Sequence, residues 1–202
     1  MSSIYLLKPK FQALLSPLVQ LLYRAGCSAN QVTVATLFAC LLMAFALYYF
    51  NSAVLWLCLP VFMLVRMALN ALDGMLAKRY KMQSALGFML NEVADLLADA
   101  AFLLAFSTLL GFYSPWLISM LLLIWLTEFF ALLALQTSGN RQNSGPLGKS
   151  DRAVFFAVFA LLIGLQFDPQ LLSFWFFSIG HLLLLATCGN RIRAGLIHKK
   201  ES

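Results

Sequence analysis

Residues Leu69–Leu97 read LNALDGMLAKRYKMQSALGFMLNEVADLL and decide how the rest of the chain is understood. The stretch sets Asn70, Asp73, Asn91, Glu92 and Asp95 among Leu, Met, Ala and Val, in a chain with only eight acidic residues. On a helix, residues three or four apart share a face. Arg66, Asn70, Asp73 and Ala77 therefore form one polar stripe, and Ser84, Gly87, Asn91, Asp95 and Asp99 form a second. A short turn near Lys81–Gln83 makes the two segments antiparallel, so positions whose numbers add to a constant lie at similar depth. Asp73 then meets Asn91, Asn70 meets Asp95, and Arg66 meets Asp99.

The surroundings of these stripes are those of a membrane protein. Of 202 residues, 62% are hydrophobic and 11% charged, whereas soluble domains average roughly 45–50% and 25%. Apolar runs near the ~20 residues that cross a hydrocarbon core occur at Asn30–Phe50, Ala53–Lys78, Ala85–Leu110, Pro115–Gln136, Ala153–Phe167 and Leu171–Cys188. The expected fold is an all-α bundle of six transmembrane helices; the fifth run is short, and counts of five or seven stay open. Thirteen of the fourteen Lys and Arg fall in alternate connections and at the termini, and the positive-inside rule places those segments in the cytoplasm. Phe11, Leu14, Leu15, Leu18, Leu21 and Leu22 recur at helical spacing beside Lys8, Lys10 and Arg24, the pattern of an amphipathic helix on the inner leaflet and not of a cleaved signal peptide. The expected organisation is an interfacial helix at residues 1–27, a six-span domain at 28–196 and a cytoplasmic tail at 197–202. Net charge is +6, but the basic residues border spans and have no soluble domain, so anionic lipid headgroups and not nucleic acid are the expected neighbours. The four cysteines lack metal-type spacing, which implies neither zinc nor disulfides.

An ionisable group near the bilayer interior costs on the order of 2.5–3.5 kcal/mol, so it usually serves an ion, a proton or a substrate. Two readings of the stripes follow. One is a polar helix–helix cluster with Arg66 as counter-ion. The sharper one is a metal site, since Mg²⁺ or Mn²⁺ prefers the oxygens of Asp, Glu and Asn. Asp99 has two roles on offer, ion pairing with Arg66 or replacing a ligand.

The spacing Asn70-x2-Asp73-Gly74-x2-Ala77-Lys78, eight residues, Gly87-x3-Asn91-x3-Asp95 resembles the signature of the CDP-alcohol phosphatidyltransferases. That family carries aspartate where this chain has Asn70 and Asn91, and arginine in place of Lys78. Ser28–Thr33 is similar to the family's entry to its first span, and Gly148-Lys149 to its loop after the fourth. The resemblance implies phosphatidyl transfer from a CDP-linked lipid, CDP-diacylglycerol, to an alcohol such as glycerol 3-phosphate, with release of CMP, in a bacterial inner membrane with termini and site in the cytoplasm. It also implies a divalent metal, Mg²⁺ or Mn²⁺, and a homodimer. On that resemblance Asp73 and Asp95 are metal ligands together with Asn70 and Asn91, and Asp95 is the general base. Glu92 and Asp99 are candidate replacement ligands. Gly74, Ala77, Lys78, Gly87, Asn30 and Thr33 are placed at the nucleotide. Lys149 and Arg152, in a Gly-containing cytoplasmic loop, either bind the acceptor or its phosphate or serve as ordinary positive-inside charges.

Two other classes compete. A small transporter explains buried charge but not the glycine spacing, and a non-catalytic lipid-binding homologue is supported by the asparagines. Glu128 has no evident partner and is expected in a helix–helix hydrogen bond; His181 is expected to be packed or hydrogen-bonded; Asp151 is expected to cap a helix or pair with a loop cation.

Overall fold

The computed structural model describes residues 8–108, 114–139, 141–142 and 145–197, without the side chains of residues 8–10, 114, 138 and 197. The first residues of the interfacial segment, the connection at 109–113 and the tail beyond Ile197 lie outside the described residues. Seven helices and no strand occur among them: α1 Lys8–Arg24, α2 Ala29–Phe50, α3 Ala53–Arg79, α4 Ala85–Ser107, α5 Ser114–Ser138, α6 Lys149–Gly164 and α7 Pro169–Ile197. Serines start three of them. Ser28, Ser52 and Ser84 each accept a backbone N–H from the first turn of α2, α3 or α4, a cap worth about 1 kcal/mol. Ser28 completes the exchange by donating its own N–H to Gln31 Oε1 at 2.8 Å.

Four helices, α2, α3, α5 and α7, are long and apolar enough to cross a membrane. The six-span expectation is matched only this far. α4 carries Glu92, Asp95 and Asp99, and α6 has 16 residues, so both fall short by composition or length. Boundaries shift as well. α6 begins at Lys149, earlier than the expected Ala153, and α7 continues to Ile197 instead of Cys188. Lys149 and Arg152 therefore belong to a first helical turn, and Arg191 to a helix and not to a tail.

Packing arranges the six helices after α1 as a closed ring in the order α2, α4, α5, α7, α6, α3, with α3 returning to α2. The expected α3–α4 hairpin is thus modified. α2 packs against both helices, and their polar stripes face each other across the ring interior. One end of that interior is aromatic: Trp56, Phe102, Phe106, Phe156 and Phe176 are buried together, with Phe106 centred 5.0 Å from both Trp56 and Phe176. The other end is polar and is described below. Outside the ring, α1 packs on α3. Leu15 and Val19 are buried with Leu72 and Leu76, Tyr23 stacks on Tyr80 at 3.6 Å, and Arg79 donates to Ser16 Oγ at 2.8 Å. Leu14, Leu18 and Leu21 are left exposed on the opposite side of α1, as an interfacial helix requires.

The α5–α6 connection is tied to α7. Leu147 N–H donates to Thr187 Oγ1 at 3.0 Å, and Gly145 has φ +144°, where a Cβ would lie 2.4 Å from Thr187 Cγ2. Both the backbone conformation and the missing side chain are required there. Gly145→Ala is expected to lower stability by about 1–3 kcal/mol, read as a fall in the thermal midpoint of the detergent-solubilised protein.

Candidate active site

Each helix of the ring contributes to the polar end. α2 supplies Thr33; α3 Arg66, Asn70 and Asp73; α4 Asn91, Glu92, Asp95 and Asp99; α5 Thr127 and Glu128; α6 Lys149 and Arg152; and α7 Arg191. The depth pairs read from the stripes are present. Asn91 Nδ2 donates to Asp73 Oδ2 at 3.2 Å, Asn70 Nδ2 donates to Asp95 Oδ1 at 2.8 Å, and Arg66 Nη1 lies 2.8 Å from Asp99 Oδ1. Each asparagine at a signature position therefore neutralises nothing but hydrogen-bonds one of the two remaining signature aspartates. Thr33 Oγ1 adds a 2.8 Å hydrogen bond to Asp73 Oδ2, which connects α2 to the same layer.

A single ion-pair network extends from these residues to α5, α6 and α7. Asp95 Oδ2 is 2.9 Å from Lys149 Nζ, which also lies 3.1 Å from Glu92 Oε2. Glu92 takes both terminal nitrogens of Arg141. Arg141 Nη2 continues to Glu128 Oε2 at 3.1 Å, and Glu128 Oε1 accepts Arg152 Nη1 at 3.0 Å and faces Arg191 Nη1 at 3.4 Å. Arg152 Nε closes the circuit on Asp99 Oδ2 at 2.7 Å. Asp99, Glu128, Arg152 and Arg191 are each at most 2% exposed. In such surroundings a charge persists only when it is paired and hydrogen-bonded, and each of these is.

The expected site residues sort into distinct places. Asn70, Asp73, Asn91, Asp95 and Thr33 share one layer. A narrow cleft between α2, α3 and α4 is lined by Thr33, Arg66, Asn70, Asn91 and Asp95. Gly74 and Lys78 are exposed and Ala77 half-buried on the same end of α3. A Cβ at Gly74 would meet nothing, whereas one at Gly87 would stand 2.7 Å from Asn30 Oδ1. Gly74 therefore leaves open surface, and Gly87 is needed for close packing of α4 on α2. Glu92 and Asp99 are not brought to Asp73 as replacement ligands. Glu92 is drawn to Arg141 and Lys149 and Asp99 to two guanidiniums, because buried carboxylates take the nearest available cations. Lys149 and Arg152 lie at the site but are ion-paired within it and are not free in a loop.

Sequence reasoning missed Arg141 and Arg191, which it counted only as topology charges, and the partners of Glu128. The available signal was Glu128 itself, an intramembrane carboxylate whose counter-ions had to come from another helix. His181 is hydrogen-bonded, with Nε2 2.7 Å from Ser119 Oγ and Nδ1 2.7 Å from Phe177 O, and Asp151 accepts Gly148 N–H at 3.1 Å at the start of α6.

The family model for CDP-alcohol phosphatidyltransferase matches residues 27–186. The chain belongs to that family. It is 41% identical over 202 residues to the inner membrane protein YnbA of Escherichia coli strain K12, covering 98% of this chain and 99% of that protein. It is also 33% identical over 94 residues to an uncharacterized protein of Aquifex aeolicus strain VF5, covering 46% of each. Four long apolar helices and an inner-membrane relative mark this CDP-alcohol phosphatidyltransferase homologue as a multi-pass integral membrane protein.

The donor set bears on the metal that the resemblance implies. Among the described residues no three His, Cys, Asp or Glu side chains cluster as a metal-binding group, so a cage of four carboxylates does not fit. Asp73 is different from its neighbours. It is 4% exposed, and its hydrogen bonds come from the neutral Thr33 and Asn91, while the other four carboxylates of the network each pair with cations. Asp73 is thus the carboxylate of this group with no cation beside it among the described residues, the kind of oxygen donor that a hard cation prefers.

Proposed function

We propose that the protein transfers a phosphatidyl group from CDP-diacylglycerol to an alcohol, releasing CMP, at a site on the cytoplasmic side of a six-span bundle. The observation that carries this reading is the convergence of Asn70, Asp73, Asn91 and Asp95 in one layer next to the open surface at Gly74. Those oxygens at the end of α3 support contact with the diphosphate of the donor lipid, and family membership supplies the reaction class. Orientation follows from basic residues at the polar end and the positive-inside rule. A homodimer is part of the same proposal.

Asp95 is assigned the proton of the acceptor hydroxyl. The freed oxygen attacks the lipid-bearing phosphorus, the bond from that phosphorus to the CMP oxygen breaks, and CMP leaves. Lys149 makes this compatible with the ion pairs, because its ammonium is shared between Asp95 and Glu92; a shift toward Glu92 frees Asp95 Oδ2. Asn70 holds the other oxygen of Asp95 and orients the carboxylate. Asp73, with Asn70 and Asn91, would hold Mg²⁺ or Mn²⁺, which when bound neutralises charge on the diphosphate. Exposed Gly74 and Lys78 face the nucleotide side, with Lys78 as a point charge in place of an arginine fork.

A non-catalytic lipid-binding reading is favoured by one specific observation, the two cations already held on Asp95. CMP release separates the two. Purified protein with CDP-diacylglycerol, Mg²⁺ or Mn²⁺ and a panel of alcohols is expected to release CMP and to stop on addition of a chelator. CDP-diacylglycerol binding without release from any alcohol would establish the non-catalytic reading.

A further inference from the structure

Arg141, Lys149, Arg152 and Arg191, which α6, α7 and the α5–α6 connection bring to this site, are ion-paired with the protein's own carboxylates. Recognition of a phosphate by Arg and Lys requires N–H groups free to donate to its oxygens. Arg141 places both terminal nitrogens on Glu92 and one also on Glu128. Lys149 Nζ is divided between Glu92 at 3.1 Å and Asp95 at 2.9 Å, which takes up two of its three N–H groups and holds the ammonium against two carboxylates that would repel an anion. Arg152 is divided between Asp99 and Glu128, and Arg191 reaches both Glu128 and Thr127 O. Arg141 Nε and Arg152 Nη2 have no hydrogen-bond partner, but both are buried, so an incoming anion reaches them only by displacing a glutamate.

Charge leads to the same result. Arg66, Arg141, Lys149, Arg152 and Arg191 are paired with Glu92, Asp95, Asp99 and Glu128, and Asp73 stands in the adjoining layer, so that among these residues five cations stand against five carboxylates. A phosphate monoester brings a charge of roughly −1.5 to −2 into a balanced, largely buried set and would stand beside Glu92. A hydroxyl adds none.

We propose that Glu92 and Glu128 are specificity-determining residues that restrict the acceptor to alcohols bearing no phosphate or other anionic group. The proposal rests on the phosphatidyl-transfer reading and moves the acceptor away from glycerol 3-phosphate, which Lys149 and Arg152 suggest when read as free cations. Glu92 filters at the rim, where Arg141 and Lys149 side chains are 21% and 26% exposed. Glu128 does so in the interior.

The test uses the full chain in lipid nanodiscs with CDP-diacylglycerol and matched acceptor pairs, glycerol against glycerol 3-phosphate and inositol against inositol 1-phosphate. CMP release is expected to favour the unphosphorylated member of a pair by about tenfold or more in kcat/KM, and Glu92→Gln is expected to shift that ratio toward the phosphorylated member. A wild-type preference for the phosphorylated member overturns the proposal. A second readout does not need turnover: inorganic phosphate should leave the wild-type melting temperature unchanged and raise that of Glu92→Gln. Phosphate stabilisation of the wild type equal to that of Glu92→Gln overturns the proposal as well. If no acceptor releases CMP, the transfer reading fails, and the phosphate melts alone decide whether the glutamates exclude anions. Glu92→Gln carries both arms because Glu92 lies at the rim, so a failure of Glu128→Gln to fold does not affect the test.

Discussion

Asp95→Asn is expected to lower CMP release by about 100- to 10,000-fold, the range over which a positioned general base contributes. The substitution retains the shape of the side chain but removes the proposed proton acceptor, the acceptor of the Asn70 amide and the charge facing Lys149 at 2.9 Å. Steady-state assays with saturating alcohol should place the loss in kcat more than in KM, since the change acts on proton removal in the transition state. Asp73→Asn should lose activity differently, with a raised requirement for divalent metal, because it removes a carboxylate of this layer that has no cation beside it among the described residues. Undiminished turnover in Asp95→Asn would sink its assignment as base.

The second large effect concerns folding. Arg152→Met leaves Asp99 and Glu128, 1% and 2% exposed, short of a shared counter-ion, and breaking one partner out of a buried pair costs about 3–5 kcal/mol. The expected result is a sharply lower unfolding midpoint and poor yield from the membrane. Asp99→Asn should be destabilising for the same reason, since it deprives both Arg66 and Arg152. The double exchange Arg66→Asp with Asp99→Arg discriminates between a simple pair and the network. An isolated Arg66–Asp99 pair would be restored by the exchange, whereas here the new arginine at position 99 would face Arg152, so stability should stay low. Recovery to near wild-type stability would show that the Arg152–Asp99 contact is unimportant.

What could be read from the sequence was local in origin. Helices followed from the apolar runs, because hydrophobic periodicity depends on residues a few positions apart, while the serine caps at Ser28, Ser52 and Ser84 emerged only in the structure. The pairings Asp73–Asn91, Asn70–Asp95 and Arg66–Asp99 were legible for a related reason: a tight turn between antiparallel helices makes depth a function of residue number alone. His181 and Asp151 behaved as their types suggest.

Tertiary structure decided the rest. No rule of spacing relates Glu128 on α5 to Arg152 on α6 and Arg191 on α7, because their meeting depends on the order in which helices close the ring. Their place in a basic loop left Lys149 and Arg152 readable as anion binders or as topology charges, and only the fold turned them onto Asp95, Asp99, Glu92 and Glu128. A charged side chain in a low-dielectric interior is governed by the nearest opposite charge, wherever in the chain that charge originates. The sequence therefore determined which residues form the reaction layer and how they pair across α3 and α4. The closed ring determined which cations are already neutralised there, because it alone brings α5, α6 and α7 to the carboxylates of α4.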